Sequence, residues 1–449
     1  MGKAGYMTDH TARSSSRGGL DSFFKLTEHG TTVRTEVVAG VTTFLTMAYI
    51  IFVNPSILET TGMDRGAVFV ATCLAAALGS AIMALLPRWP IGMAPGMGLN
   101  AFFAFTVVGA MGFTWQQALG AVFISGIIFL ILTVTGVRRW IVDGIPKSMR
   151  SAIAAGIGLF LAIIALQSSK IVVDNPATLL GLGDITQPEP LLAIVGFLII
   201  AALDALKVRG AILLGILIVT VISMLFGVSG FGGIMSMPPS IAPTFLQLDI
   251  MGALNAGLVY VVLVLVLVEV FDATGTLIGV AKRANLMPEG KPNKLGSALM
   301  ADSTAIVAGS LLGTSSTTAY VESASGVQAG GRTGLTALVI AVLFLAALFF
   351  APLAGSVPAH ATAPALLYVA CLMVRELVDV EWADITEVAP AALTALMMPL
   401  TYSIANGLAF GFISYAVLKT LTGRYRDVHP ATWLVAILFI IRFVMVGGE

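Results

Sequence analysis

Apolar residues run through this 449-residue chain in blocks. Many are long enough to cross a bilayer, which takes about 20 residues of helix. After a polar stretch of mixed charge from Met1 to Arg34, the blocks are Glu36–Pro55, Ala67–Leu86, Gly92–Val108, Trp115–Gly136, Arg150–Gln167, Pro190–Leu206 and Ala211–Val228. A loop rich in Gly, Pro and Ser, Ser229–Pro243, closes this half without a Lys or Arg. The second half repeats the count: Ala253–Val280, Leu295–Leu312, an interrupted stretch around Gly313–Gly326, Gly334–Leu353, Pro358–Val374, Thr386–Leu400 and Ala405–Leu421.

The interruptions fall at matching places. The third block opens with Gly96, Gly98 and Asn100; the tenth is the hydroxyl-rich Gly313–Gly326, with Thr317, Thr318 and one carboxylate, Glu322. Both fifth blocks follow a proline, Pro146 and Pro358. Irregular backbone survives inside a membrane only where protein buries it or it lines a cavity. Paired interrupted segments in two halves are the sequence signature of a transporter site at the bilayer midplane. The expectation is an all-α polytopic membrane protein of about 14 segments in two inverted repeats of seven. Segments three and ten would each join a short extended piece to a half-helix. A polar surface loop is the alternative for Gly313–Gly326. The last apolar run, Thr432–Val446, contains Arg442 and is short. It reads as a helix on or partly in the inner face, with an extra crossing as the alternative.

Charge orients the chain. If the N-terminus is cytoplasmic, the inner loops carry Arg88, Arg138, Arg139, Lys147, Arg150, Lys207, Arg209, Lys282, Arg283, Lys291, Lys294, Arg332 and Arg375, with Lys419, Arg424 and Arg426 after the last segment. The outer loops carry only Arg65 and Lys170. That is a positive-inside distribution, and it implies a multi-pass protein of the cell membrane.

Composition agrees: 57% of residues are hydrophobic and 11% charged, against roughly 25% charged in soluble proteins. Lys and Arg balance Asp and Glu at 24 each, and no basic stripe with interleaved aromatics suggests nucleic acid. His10, His29, His360 and His429 lack zinc-site spacing. Cys73 and Cys371 sit in apolar runs and read as small core residues rather than a disulfide. The N-terminal stretch has no apolar region of signal-peptide type. No nucleophile–base pair marks an enzyme, and no cofactor is implied.

Ionisable groups inside a membrane are costly and mark function by default. In the eighth segment, Glu269 and Asp272 follow an unbroken apolar run, and Thr274 and Thr276 come next. Glu269, Asp272 and Thr276 share one helix face. Glu269 could instead be a polar packing residue. Asp302, in the ninth segment, could support the eighth helix or carry protons. Glu36 begins the first segment, where a carboxylate needs no site to explain it. Segments three, eight and ten contribute backbone N–H groups, carboxylates and an amide but no Lys or Arg. That inventory suits a small ring-like solute with N–H donors. A carboxylate in a low-dielectric cavity holds its proton more readily, which offers a route to proton coupling.

Four stretches carry a closer likeness: Phe24–Gly40, Ala94–Phe105 (Ala-Pro-Gly-Met-Gly-Leu-Asn-Ala-Phe-Phe-Ala-Phe), Phe271–Val280 (Phe-Asp-Ala-Thr-Gly-Thr-Leu-Ile-Gly-Val) and Gly313–Gly326. The chain from about Phe24 to Leu421 resembles the AzgA-like purine permeases of the nucleobase–cation symporter (nucleobase–ascorbate transporter) superfamily. The resemblance implies proton-coupled import of adenine, guanine or hypoxanthine by an elevator-like movement. After a cytoplasmic tail (1–34), a core domain (35–137 and 253–355) would move against a gate domain (138–230 and 356–422), with 431–447 as a further apolar helix. It implies substrate contacts from Asp272, Glu322 and Asn100, with Thr276 and Thr318 nearby and Phe102 or Phe103 flanking the base. Thr276 stands where distant branches have an acidic residue or His, so the proton carrier stays open among Asp272, Glu322, Asp302 and Glu269. Distant relatives suggest a homodimer through the gate domain. An anion carrier of sulfate or bicarbonate type on the same fold is the alternative, and Glu322 opposes it. A membrane receptor is a further one.

Overall fold

The structure is a computed structural model and describes residues 19–254, 256–287 and 294–446. The first eighteen residues of the polar tail, Lys291 and residue 447 lie outside the described residues. Among these, ten helices are long and apolar enough to cross a membrane, and four shorter apolar ones accompany them.

Fourteen segments emerge in the expected order. The first span is two stacked helices, Val33–Met47 and Ile50–Leu58, the latter containing Pro55. The second is Arg65–Leu85 and the fourth Trp115–Val134. A short connector, Val137–Gly144, leads to the fifth, Lys147–Ser168; the sixth and seventh are Pro188–Ala205 and Ala211–Leu225. The eighth is Ala256–Arg283 and the ninth Leu295–Leu312. The eleventh opens with Gly334–Ala347, and Ala359–Val374, Ile385–Leu400 and Ile404–Leu421 complete the set. Polar residues at the turns set where the helices start. Thr114 and Gln117 cap the fourth span reciprocally, and Asp64, Asp384 and Ser403 accept backbone N–H bonds at the second, thirteenth and fourteenth.

The spans sort into two packed groups. Spans two, four, eight, nine and eleven pack on one another, with the first against the eleventh; spans five, six, seven, twelve, thirteen and fourteen form the other group. The first group is the core and the second the gate of the expected fold. Val134, Leu198, Val342 and Leu396 are exposed on the outward faces, as expected where lipid is the solvent.

Three sequence expectations change. Arg138 and Lys419, counted as loop cations, are both 1% exposed. Each is buried against carboxylates: Arg138 meets Asp302 at 3.3 Å, and Lys419 meets Glu387 at 2.7 Å. Cys371 lies on the outer surface rather than in the core, whereas Cys73 is buried. An antiparallel hairpin, Val172–Asn175 with Leu179–Leu182, joins the fifth and sixth spans where no strand was expected. The last helix, Pro430–Val446, runs back along the fourteenth span. Thr432 Oγ1 donates to Gly144 O at 2.8 Å near one end, and Arg442 donates to Asn406 Oδ1 at 2.9 Å near the other.

Candidate functional site

The third and tenth segments meet as two short strands. Met93–Pro95 pairs antiparallel with Thr317–Ala319, Ala94 opposite Thr318. Flanking bonds extend the crossing: Gly96 N donates to Ser316 O at 2.8 Å and Tyr320 N to Gly92 O at 3.0 Å. Extended backbone inside a membrane must satisfy its polar groups internally, and here each interrupted segment satisfies the other. Gly313 makes the entry possible. It ends the ninth span at φ 92°, a left-handed conformation that other residues rarely adopt.

A helical piece leaves each strand. On one side Met97–Ala101 starts three residues before Asn100 and runs into a π-helix, Phe102–Ala110. Such π-helical turns recur at functional sites. On the other, Glu322 stands at the cap position of the half-helix Ser323–Gln328. Tyr49, at the break in the first span, donates its hydroxyl to Glu322 Oε1 at 2.7 Å. Tyr320 Oη donates to Pro95 O at 2.6 Å, and Ser323 Oγ accepts from Gly92 N at 3.0 Å. Arg332 secures the far end of the half-helix, donating to Val327 O at 2.6 Å and Gly331 O at 2.7 Å.

The eighth span passes alongside both the strand Thr317–Ala319 and the half-helix. Asp272 is half-buried and makes no hydrogen bond among the described residues; it lies within Coulombic reach of Asp302 and Glu322. Thr276, one turn on, is also half-buried. Asp302 is fully buried. Its Oδ1 accepts from Thr318 Oγ1 at 3.1 Å and Ala319 N at 3.3 Å, so the Thr318 hydroxyl is committed to Asp302. Glu269 is fully buried, and neither carboxylate oxygen has a protein hydrogen-bond partner. Ser316 and Ser125 stand beside it without closing a good bond, and Ser125 Oγ instead donates to Val122 O at 2.8 Å.

Asn100 is fully buried with both polar atoms of its amide unpartnered, and the hydroxyls of Ser315, Ser316 and Thr317 are likewise buried and unpartnered. Buried polar groups are nearly always satisfied, and each exception calls for a reason. A concentration of exceptions on segments three, eight and ten is the chemical profile of a polar ligand site. Phe102 and Phe103 are both buried at the start of the π-helix.

Electrostatics sharpens this. Glu269, Asp272, Asp302 and Glu322 lie on the core segments around the crossing, and among the described residues the one guanidinium bonded to any of them is Arg138, to Asp302. Sequence reasoning missed Arg138, because on the chain it is one of several cations between two spans. It likewise missed Tyr49, which lies inside an apolar block. Among the described residues, no group of three His, Cys, Asp or Glu side chains is arranged to hold a metal ion.

Comparison with known proteins extends the picture. A family profile described as "Permease family" matches residues 34–410. The chain is 50% identical to adenine permease AdeP of Escherichia coli (strain K12), covering 98% of this chain and 99% of that protein. It is 45% identical to guanine/hypoxanthine permease PbuG of Bacillus subtilis (strain 168), over 95% of this chain and 99% of that one. Among solved structures, the transmembrane domain of the cyanobacterial bicarbonate transporter BicA superposes with a TM-score of 0.65 at 18% identity, covering 83% of this chain and 97% of that one. Murine Slc26a9, an anion transporter in the inward-facing state, superposes at 0.64 with 10% identity, over 93% and 74% respectively. At such identities the two structures speak for the fold alone.

Proposed function

Because the chain belongs to the permease family, we propose that it is a secondary transporter that imports a purine nucleobase, adenine, guanine or hypoxanthine, together with a proton. The observation that carries this reading is the set of unpartnered polar groups at the strand crossing, Asn100 and Glu269 above all. A purine ring offers N–H donors to carboxylates and ring nitrogens to an amide, and it can stack on an aromatic face. Asp272 and Glu322 accept from the base, Asn100 bonds its edge, and Phe102 or Phe103 flanks it. Thr276 lines the same face, and Thr318 supports the strand through Asp302.

Coupling follows from charge. Ionising every carboxylate around the crossing would leave several buried charges uncompensated, each costing several kcal/mol. A proton taken up with the base on Asp272 or Glu322 removes one of them, and Glu269 is a relay behind them. Movement of the core against the gate, elevator-fashion, carries the loaded site across. The N-terminus is cytoplasmic, in keeping with the bias of Lys and Arg toward one set of loops. Homodimers form through the gate. The adenine and guanine/hypoxanthine permeases named above support the substrate class.

An anion carrier is the second reading, because the bicarbonate transporter BicA and the anion transporter Slc26a9 share this fold. It is the weaker one, since Asp272 and Glu322 would repel the cargo. Proteoliposome uptake of labelled adenine, guanine, hypoxanthine, uracil, xanthine and sulfate, with and without an inward proton gradient, tests the proposal. Purine accumulation that collapses with the gradient is expected. Sulfate uptake without purine uptake would overturn the reading.

A further inference from the structure

One side chain ties together both pieces of chain that bear the site carboxylates, and it comes from outside them. Arg138 is the second residue of the connector Val137–Gly144 between the fourth and fifth spans. Its guanidinium lies 3.9 Å over the Phe129 ring. From there it reaches in several directions. Nε donates to Thr274 Oγ1 at 3.1 Å, Nη1 to Leu299 O at 3.3 Å, and Nη2 to Asp302 Oδ2 at 3.3 Å.

Thr274 is two residues beyond Asp272 on the eighth span. Asp302, through its other oxygen, holds Thr318 Oγ1 and Ala319 N on the strand that leads to Glu322. The Asp272 segment and the Glu322 segment are thus fixed to one planar group. A guanidinium presents five N–H donors in a rigid fork, and an ammonium is a point charge on a flexible stem. Only the former reaches all three acceptors at once.

We propose that Arg138 is a positioning residue of the transport site. It sets the spacing between the Asp272 and Glu322 segments, with Asp302 as its counter-charge and not as a carrier of protons. Arg138 itself touches no substrate. The proposal rests on the purine reading for its kinetic consequence and on geometry alone for its structural one.

The test has two arms on the full-length protein in nanodiscs or proteoliposomes. In the first, Arg138→Gln raises KM at least about tenfold for whichever purine the wild type transports, the loss expected for a hydrogen-bonded charge. Vmax per folded transporter changes far less, and Arg138→Lys restores part of the affinity. In the second, amide hydrogen exchange in Arg138→Gln speeds up in 272–276 and 317–322, while the gate helices 385–421 keep wild-type protection. Thr274→Val removes one acceptor and spares the ion pair. It should raise KM about threefold and keeps the test open if Arg138→Gln fails to insert. Wild-type KM in these variants, wild-type exchange in both site segments, or exchange rising equally in the gate would each overturn the proposal. A wild type that takes up no purine would sink the functional reading, while the exchange arm would still decide this one.

Discussion

Glu36 offers the sharpest stability test, because its carboxylate bonds the turn that opens the eleventh span, away from Asp272 and Glu322. It is fully buried in the first span. Its Oε1 accepts from Arg332 N at 2.9 Å, and its Oε2 accepts from Thr336 Oγ1 at 2.6 Å, Thr336 N at 3.2 Å and Thr333 N at 3.3 Å. The carboxylate therefore caps the eleventh span, Gly334–Ala347, from another helix, where free N–H groups and the helix dipole favour negative charge. Glu36→Ala removes four bonds and strands Arg332 N and Thr333 N outright, while Thr336 N keeps Thr333 O at 3.2 Å and Thr336 Oγ1 keeps Glu36 O at 3.3 Å. At about 1 kcal/mol net per bond the cost is about 4 kcal/mol. That is close to a thousandfold in the folded-to-unfolded ratio, and about 8 °C in melting midpoint at roughly 2 °C per kcal/mol for a large domain. Buried Cys73 reports unfolding to a thiol-reactive dye during a heat ramp in detergent, once exposed Cys371 is replaced by Ser. Glu36→Gln keeps one acceptor oxygen and should fall between Ala and wild type. A Glu36→Ala protein melting within about 1 °C of wild type would refute the reasoning, since the four lost bonds would then have contributed almost nothing.

Two further outcomes are expected. A Cβ on Gly98 would overlap Ile157 Cγ2, where the third segment meets the fifth span of the gate; Gly98→Ala should cost about 1–3 kcal/mol of overpacking and slow uptake, and Ile157→Ala on the same chain should restore it, as initial-rate assays would reveal. Hydrogen bonds from Thr386, then Arg424, hold the Asp384 carboxyl well below the usual carboxylate range. Its contribution is therefore complete above an unfolded value of about 3.9 and declines only as pH drops further. The gap in melting midpoint between wild type and Asp384→Ala should stay constant from neutral pH to about 4.5 and narrow below about 3.9; a gap that closes between pH 7 and 5 would contradict this.

The spans were legible because lipid imposes a simple rule on composition, and a run of apolar residues needs no tertiary context to be recognised. The interrupted segments were legible for the converse reason. Gly96, Gly98 and the hydroxyl run ending in Glu322 violate that rule, and both occur third in their half. Sequence could not supply the pairing of Ala94 with Thr318, which depends on how two distant segments meet. Nor could it separate a solvated cation from a buried one. Arg138 and Arg88 look alike on the chain, and each lies over an aromatic ring, yet Arg138 also finds a carboxylate and a hydroxyl within reach. Lys419 lies in the last turn of its helix, as a loop-facing cation would, but Glu387 from the neighbouring helix turns it inward. Glu36 sits at a helix start, as the dipole argument allows, while the helix it caps is another one. In each case the missing information was the partner, which lies hundreds of residues or a whole helix away. The amide of Asn100 is the reverse: the sequence marks its place at the third-segment interruption, but only a fold can expose its lack of partners.

We propose that Asp272 and Glu322, brought to one crossing by the eighth and tenth segments, bind the transported base. Uptake of labelled adenine, guanine and hypoxanthine by proteoliposomes holding Asp272→Asn or Glu322→Gln decides this, with insertion and melting midpoint matched to wild type. Each substitution should lower uptake of every purine that the wild type accumulates, by about a hundredfold, the upper range for a lost charge-assisted hydrogen bond. Accumulation at the wild-type rate by either variant would contradict the claim.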